Sequence, residues 1–360
     1  MKARIEKNLD TLWLREGVDG FILFSQEYDN RPTIQYVSGF TGSVAVVLIT
    51  PREHFLIVDS RYFVQAEEES DFTIYKIPGR DPWPDISELM KKNDIRVLGF
   101  EKDRLTIDKY EQLKNLGIEL KGYSNYFRKL RSVKDESEIS LVRKSCEIAS
   151  KAFNDVYPEI KPGISEADIA AELAYKMRLY GAERLAKGHF VVASGKRGQR
   201  PHGVFSNKVI ENGDLVTIDF GAVYKGYYSD ITRTVGVGKV DTRMMEIYEV
   251  VYEANKIGIE LAKDRITGRD LDREVRDFIA SKGFGDYFTH STGHGIGLEL
   301  HEFPNVNSQN SAVLPVNSIV TIEPGIYIPD LGGVRIEDDI VVKEDGCEVL
   351  TFADKFFQSE

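Results

Sequence analysis

The chain of 360 residues has only two cysteines, Cys146 and Cys347. They lack the paired spacing of a metal site, so two reduced, partly buried thiols are expected. No run of 18 apolar residues occurs, which excludes a hydrophobic membrane-spanning helix. The opening MKARIEKNLD is charged and lacks the apolar core of a secretory signal. Excess basic charge is missing too: 58 acidic against 47 basic residues leave a net charge of -11. A general binder of nucleic-acid backbone is therefore not expected. No HExxH zinc motif is present, because the position that needs the second histidine after His301-Glu302 is Asn305. A cytoplasmic protein, bound to neither membrane nor nucleic acid, is the expectation.

What is present is a substantial core: apolar residues make up 42% of the chain. This length suits two domains. Residues 1–127 alternate in type. A helix pattern through Ile5, Leu9 and Leu12 stops at Gly17. Strand candidates follow at 20–24, 44–49 and 54–58. Then come a helix (61–69), a strand (72–77), a helix (85–93), a strand (96–100), a helix (106–116) and a strand (118–123). This reads as a three-layer α/β domain. GFTGSVAVVLI is a turn entering a buried strand, and Ser60 in DSRY is a plausible helix cap. Both read first as architecture.

The charged stretch RKLRSVKDE around 128–135 marks the boundary, with a second domain over 128–360. Val142, Cys146, Ala149, Phe153 and Val156 make one apolar helical stripe, ended by Pro158 and Pro162-Gly163. Ser165, with Asp168 three residues on, caps a second helix that stops at Gly181. In Val216–Thr234, VTIDFGAVYKGYYSDITRT, a turn at Tyr224-Lys225-Gly226 joins strands bearing Asp219 and Asp230. The two acids are expected within one residue of register. The plan then repeats. A long helix (about 242–263) precedes Thr267 with Asp270, a helix ending at Gly283, and a second hairpin. That hairpin carries Glu323 and Glu337, whose midpoint falls at Asp330 in the turn. Two halves alike in order, cap and carboxylate placement predict a pseudo-two-fold domain with four acids converging.

Four carboxylates bring about -4 of charge, and two divalent cations with a bridging hydroxide would balance it, as in a two-metal hydrolase. The missing nitrogen ligand is sought in THSTGHGIGLELHE, where Gly293 and Gly295 flank His294. The candidate ligand set is therefore Asp219, Asp230, His294, Glu323 and Glu337. Mostly oxygen ligands with one imidazole suit Mn, Co, Fe or Zn. Taken singly, each acid reads as a satisfied structural group. The paired hairpins and the glycine-flanked histidine reverse that ranking.

DFGAVYKGYYSDITRT, STGHGIGLELHE, TIEPGIY and GGVRIEDD resemble the pita-bread metallopeptidases, chiefly aminopeptidase P and prolidase, with methionine aminopeptidase further off. The first domain resembles the smaller creatinase-like domain of that branch, and FTGS followed by DSRY favours aminopeptidase P over prolidase. The resemblance implies a pita-bread catalytic domain with two divalent ions, Mn2+ being expected. It implies Asp219, Asp230, His294, Glu323 and Glu337 as ligands, with Asp230 and Glu337 bridging. It also implies substrate contacts for His202 and His290, support of the tetrahedral intermediate by His301, and an Arg335 that holds the site together. Glu323 suits proton transfer to the leaving nitrogen, and His301 suits an oxyanion donor.

The implied activity is release of the first residue from peptides with proline second, with the bridging water or hydroxide as nucleophile. A homodimer is implied as well, its smaller domain serving assembly and closing one wall of the cleft. Xaa-Pro dipeptidase activity is the alternative, and a non-catalytic peptide-binding protein is a remoter one. Creatinase-type chemistry is disfavoured, because it dispenses with the metal ligands.

Overall fold

The computed structural model describes residues 3–27, 29–355 and 358–359. The chain divides into two compact units, Met1–Leu130 and Arg131–Glu360.

In the first unit a six-stranded mixed sheet has Gly20–Ser25 as a central strand. This strand pairs antiparallel with Ala45–Ile49 and parallel with Val97–Glu101. All six of its residues are buried, as expected of a strand covered on both faces. Helix Ala3–Glu16 buries Ile5, Leu9 and Leu12, the stripe seen in the sequence.

Two local expectations need correction. Ser60 caps no helix: the helix is Phe63–Glu69, with Tyr62 at its N-cap position and no side-chain cap. The Asp59 carboxylate instead accepts from the Arg61 backbone N–H at 3.0 Å and from its guanidinium at 2.9 and 2.7 Å. A charged pair closes the turn, so the hydroxyl is not required. The helix Arg31–Ser38 was not anticipated. It has eight residues, no side-chain cap bond and a proline in its first turn, too short a run for a periodic pattern to stand out.

The second unit follows the repeated plan. Helix Glu136–Val156 starts from a capping box between Asp135 and Glu138. Helix Glu166–Leu179 starts from one between Ser165 and Asp168. Their counterparts in the second half are Thr242–Leu261 and Gly268–Ser281, the latter capped by Thr267. Helix Thr242–Leu261 lies close on the second hairpin at Gly258, where a Cβ would come within 2.6 Å of Ile322. Among the described residues, no helix is long and apolar enough to cross a membrane.

The first hairpin (215–237) pairs Leu215–Phe220 with Ile231–Val237. Its tip is a two-residue turn at Lys225-Gly226, both with positive φ (47° and 83°), the backbone that suits tight hairpins. That turn puts Thr232 opposite Asp219. Asp230 therefore stands two positions out of register, not one. An even offset still keeps both acids on one face. In the second hairpin the pairs Ile322↔Asp338 and Gly325↔Arg335 bracket the two glutamates. Glu323 thus faces Glu337 directly, with Asp330 at the tip. An isolated bridge, Thr232↔Glu337, joins the hairpins.

Candidate metal centre

The two hairpins supply the acids, and a short strand, Gly293–Gly295, supplies His294. That strand lies so close to its neighbour that a Cβ at Gly293 would stand 1.9 Å from the Thr321 carbonyl oxygen. Glycine is required there, and it seats the imidazole against the carboxylates. The His294 Nδ1–H donates to the Gly295 carbonyl at 3.0 Å. Nε2 is left as the acceptor nitrogen, 3.7 Å from Asp230 Oδ2 and 3.5 Å from Glu323 Oε1. A backbone acceptor on one nitrogen thus fixes the tautomer that leaves a lone pair on the other.

Ligand-type atoms of Asp230, His294 and Glu337 all lie within 4.8 Å of one another. Asp219 joins this group through cations: Arg335 Nη2 is 2.8 Å from its Oδ2, and the Lys187 ammonium contacts its Oδ1. The same ammonium lies 2.9 Å from Asp230 Oδ1. All five candidate ligands from the two halves are therefore gathered in one place.

Like charges at this distance compete for protons. Burial raises the Glu337 carboxyl well above the usual range, and Asp230 and Glu323 add to the effect. Burial also raises Asp230 and Glu323. Asp219 moves the other way. Burial works to raise it, but Lys187 and Arg335 outweigh that and bring it down to about 2.

Arg335 is the organiser. Its Nε donates to Thr232 Oγ1 at 3.1 Å, and that hydroxyl donates to Glu337 Oε2 at 2.6 Å. Its Nη1 donates to Tyr327 Oη at 2.6 Å and to the Pro201 carbonyl at 3.2 Å. Tyr327 Oη in turn lies 2.9 Å from His290 Nε2. With Nδ1–H donating to the Ser291 carbonyl at 2.8 Å, Nε2 accepts from the tyrosine. Burial, then Arg335, brings His290 down to about 4, so the ring is neutral at pH 7.

His301 is exposed, its ring 4.3 Å from that of His294 between centroids. Desolvation of the part of its ring that packs into the site, then His294, brings it down to about 4. His202 sits exposed beside Pro201. Its loop is fixed by the fully buried Glu166, which accepts from Ser194 N at 2.8 Å and Ser206 N at 3.0 Å.

Four contributors escaped the sequence reading: Lys187, Thr232, Tyr327 and Glu166. Tyr327 had a usable signal, lying two residues from Gly325 in TIEPGIY and eight before Arg335 across a hairpin. Lys187, in RLAKGHF, had none.

The residues fit a divalent pair on the structure's own terms. Glu337 Oε1 is buried without a hydrogen-bond donor, and Asp230 Oδ1 has no donor besides the Lys187 ammonium. His294 Nε2 faces inward as a lone pair. Four carboxylates and one imidazole are donors that hard and borderline cations take. Fold and site together describe a two-unit protein of mixed α/β structure whose paired hairpins gather a candidate metal-ligand set.

Comparison with known proteins is specific. Residues 140–344 match metallopeptidase family M24, and residues 4–133 match the Creatinase/Prolidase N-terminal domain. The chain belongs to metallopeptidase family M24, with a creatinase-like first domain and a pita-bread second one; it is a hydrolase of a family that uses divalent metals. It is 42% identical to an Xaa-Pro dipeptidase of Pyrococcus horikoshii, over 89% of this chain and 90% of that protein. The crystal structure of an X-Pro aminopeptidase from Thermotoga maritima MSB8 superposes with a TM-score of 0.91 at 40% identity, covering 95% of this chain and 98% of that one. An Xaa-Pro dipeptidase from Bacillus anthracis superposes with a TM-score of 0.93 at 42% identity, covering 98% of each chain.

Proposed function

We propose that this protein hydrolyses the bond before proline in short peptides, releasing the first residue, with Asp219, Asp230, His294, Glu323 and Glu337 holding two divalent ions. The observation that carries this reading is the convergence of Asp230, Glu323 and Glu337 on the inward-facing His294 nitrogen, with Asp219 tied alongside through Lys187 and Arg335. Bound ions would supply Lewis acidity and an acidified water. Manganese is the ion to test first.

The chain's own residues have separate tasks. Glu323 is half-buried and burial raises its carboxyl to about 8, near the working pH at which one group can both take a proton and pass it to the leaving nitrogen. His301, exposed and neutral, offers an N–H to the oxygen that gains charge. His202 and His290 flank the substrate. Arg335 and Tyr327 hold Asp219 and His290 in place. Proline suits such a site because its ring nitrogen carries no N–H, so grips that rely on strand-like pairing fail.

Two readings of chain length remain distinct. The FTGS and DSRY segments favour aminopeptidase activity on longer peptides. The Pyrococcus relative's name favours dipeptidase activity on free Xaa-Pro. The experiment is to give metal-free and Mn-loaded protein the peptides Leu-Pro, Leu-Pro-Gly-Gly and Met-Ala-Ser and to follow products by mass spectrometry. Metal-dependent release of leucine from the tetrapeptide supports the aminopeptidase, and release from Leu-Pro alone supports the dipeptidase. Cleavage of Met-Ala-Ser with neither proline peptide cut would overturn the proline reading.

A further inference from the structure

The Lys187 ammonium sits where a cation is wanted. It contacts Asp219 Oδ1, lies 2.9 Å from Asp230 Oδ1, and is attracted by Glu337 as well. Those are oxygens of the candidate ligand set. An ammonium is a compact point charge on a flexible stem, so it neutralises part of a carboxylate cluster much as a metal ion would. A divalent ion bound to the same two oxygens would lie within contact distance of the ammonium, with like charge. The two cannot share that edge.

Lys187 also has a way out. Its side chain is 20% exposed, against 4% for Arg335. It lies in the link between strands Arg184–Leu185 and Val191–Ser194, beside Gly188, which has open space around it. Arg335 is tied by four partners and stays.

We propose that Lys187 is an internal counter-cation, which holds the Asp219/Asp230 edge together in the metal-free protein and swings out when a divalent ion takes those oxygens. The inference rests on the metal pair of the proposed function. It adds that this chain carries its own competitor for metal.

Two measurements test it. The first is acetylation of Lys187 by an N-hydroxysuccinimide ester at one fixed pH, read by peptide mass mapping with and without saturating Mn2+. Labelling is expected to rise at least about tenfold with metal, the size that release of a buried ion pair permits. Equal labelling in both states overturns the proposal. The second compares wild type with Lys187→Met by equilibrium dialysis against Mn2+ and by melting of the metal-free protein. The variant is expected to bind Mn2+ at least about tenfold tighter and to melt lower when metal-free. Unchanged affinity with an unchanged melting temperature overturns the proposal. If the variant cannot be obtained folded without metal, wild-type labelling decides alone. A wild-type protein that binds no divalent ion at all would instead refute the metal pair itself, a separate failure read from the same dialysis.

Discussion

Arg233→Met should unfasten the join between the two hairpins. Arg233 is 2% exposed and donates to the carbonyls of Thr232 (2.9 Å), Glu337 (2.6 Å) and Ala353 (2.9 Å). Its Nη2 lies 2.8 Å from Asp338 Oδ1. Methionine fills much of the space but supplies none of these donors. Thr232 O keeps the Glu337 N–H at 3.0 Å, and Asp338 keeps Lys355 at 2.6 Å and Thr351 at 2.7 Å. The Glu337 and Ala353 carbonyls lose this donor, and Asp338 loses one of its two cations. Breaking a buried pair costs about 3–5 kcal/mol. The remaining lysine moves the value down and the stripped carbonyls move it up, so about 4 kcal/mol is expected. At about 2–4 °C per kcal/mol for a unit of this size, melting should fall by about 8–16 °C. The assay must watch the right unit. Both tryptophans, Trp13 and Trp83, lie within Met1–Leu130, so their fluorescence reports the other unit. Amide exchange of residues 231–237 in metal-free protein is the proper probe, since bound metal would add its own stability. Asp338→Asn in the Arg233→Met background should recover part of the loss. A loss under about 1 kcal/mol, or no recovery in the double variant, would refute the reasoning.

Two further outcomes follow from the charge pattern. Glu323 and Glu337 hold their protons in the metal-free cluster, so metal binding near pH 7 should release at least about one proton and grow tighter as pH rises; calorimetry in two buffers of different ionisation heat checks this, and a heat that ignores the buffer contradicts it. His290, brought down to about 4 by burial and Arg335, binds its proton less readily than the unfolded chain, whose histidines titrate near about 6.5. Its folded value is the lower one, so its contribution to stability is full above about 6.5 and falls as pH drops towards 4, by up to about 1.4 kcal/mol per pH unit. The urea midpoint gap between wild type and His290→Gln should therefore narrow from pH 7 to pH 5, and a constant gap would count against it.

Where structure is local, the residues announce it. Ser165 with Asp168 and Thr267 with Asp270 act within one helical turn, and both cap as read. The equal spacing of acids about Asp330 gave the second hairpin its register, because a short tip leaves few alternatives. The first hairpin slipped from the expected register because Tyr224 pairs with Tyr227 and does not sit in the turn. Contacts spanning a hundred residues leave no local trace. Arg335 reaches Asp219 across 116 positions, and Arg233 reaches Asp338 across 105. Lys187 had neither periodicity nor a motif, and only the fold reveals that it meets two aspartates. The short helix Arg31–Ser38 was lost for the opposite reason: its local signals are weak and its burial is tertiary.

The run Glu337-Asp338-Asp339 shows how three adjacent acids are made different. Residues 337 and 339 share a face, and 338 points the other way. Glu337 turns to the cluster, where its Oε1 is buried without a donor. Burial would raise Asp338, but Arg233 and Lys355 hold it well below the usual carboxylate range, and that ion pair leaves it nothing to offer a metal. Asp339 is fully buried and takes the Asp230 N–H at 2.9 Å and the Cys146 thiol at 3.3 Å. Burial raises this carboxyl well above its ordinary value against the pull of the Asp230 N–H, and the bond to that N–H braces the strand behind Asp230. Composition counts three equivalent charges here. Alternation along the strand and the partners on each face make them different: Glu337 stands opposite Glu323, Asp338 is paired with Arg233 and Lys355, and Asp339 takes both its donors on Oδ2.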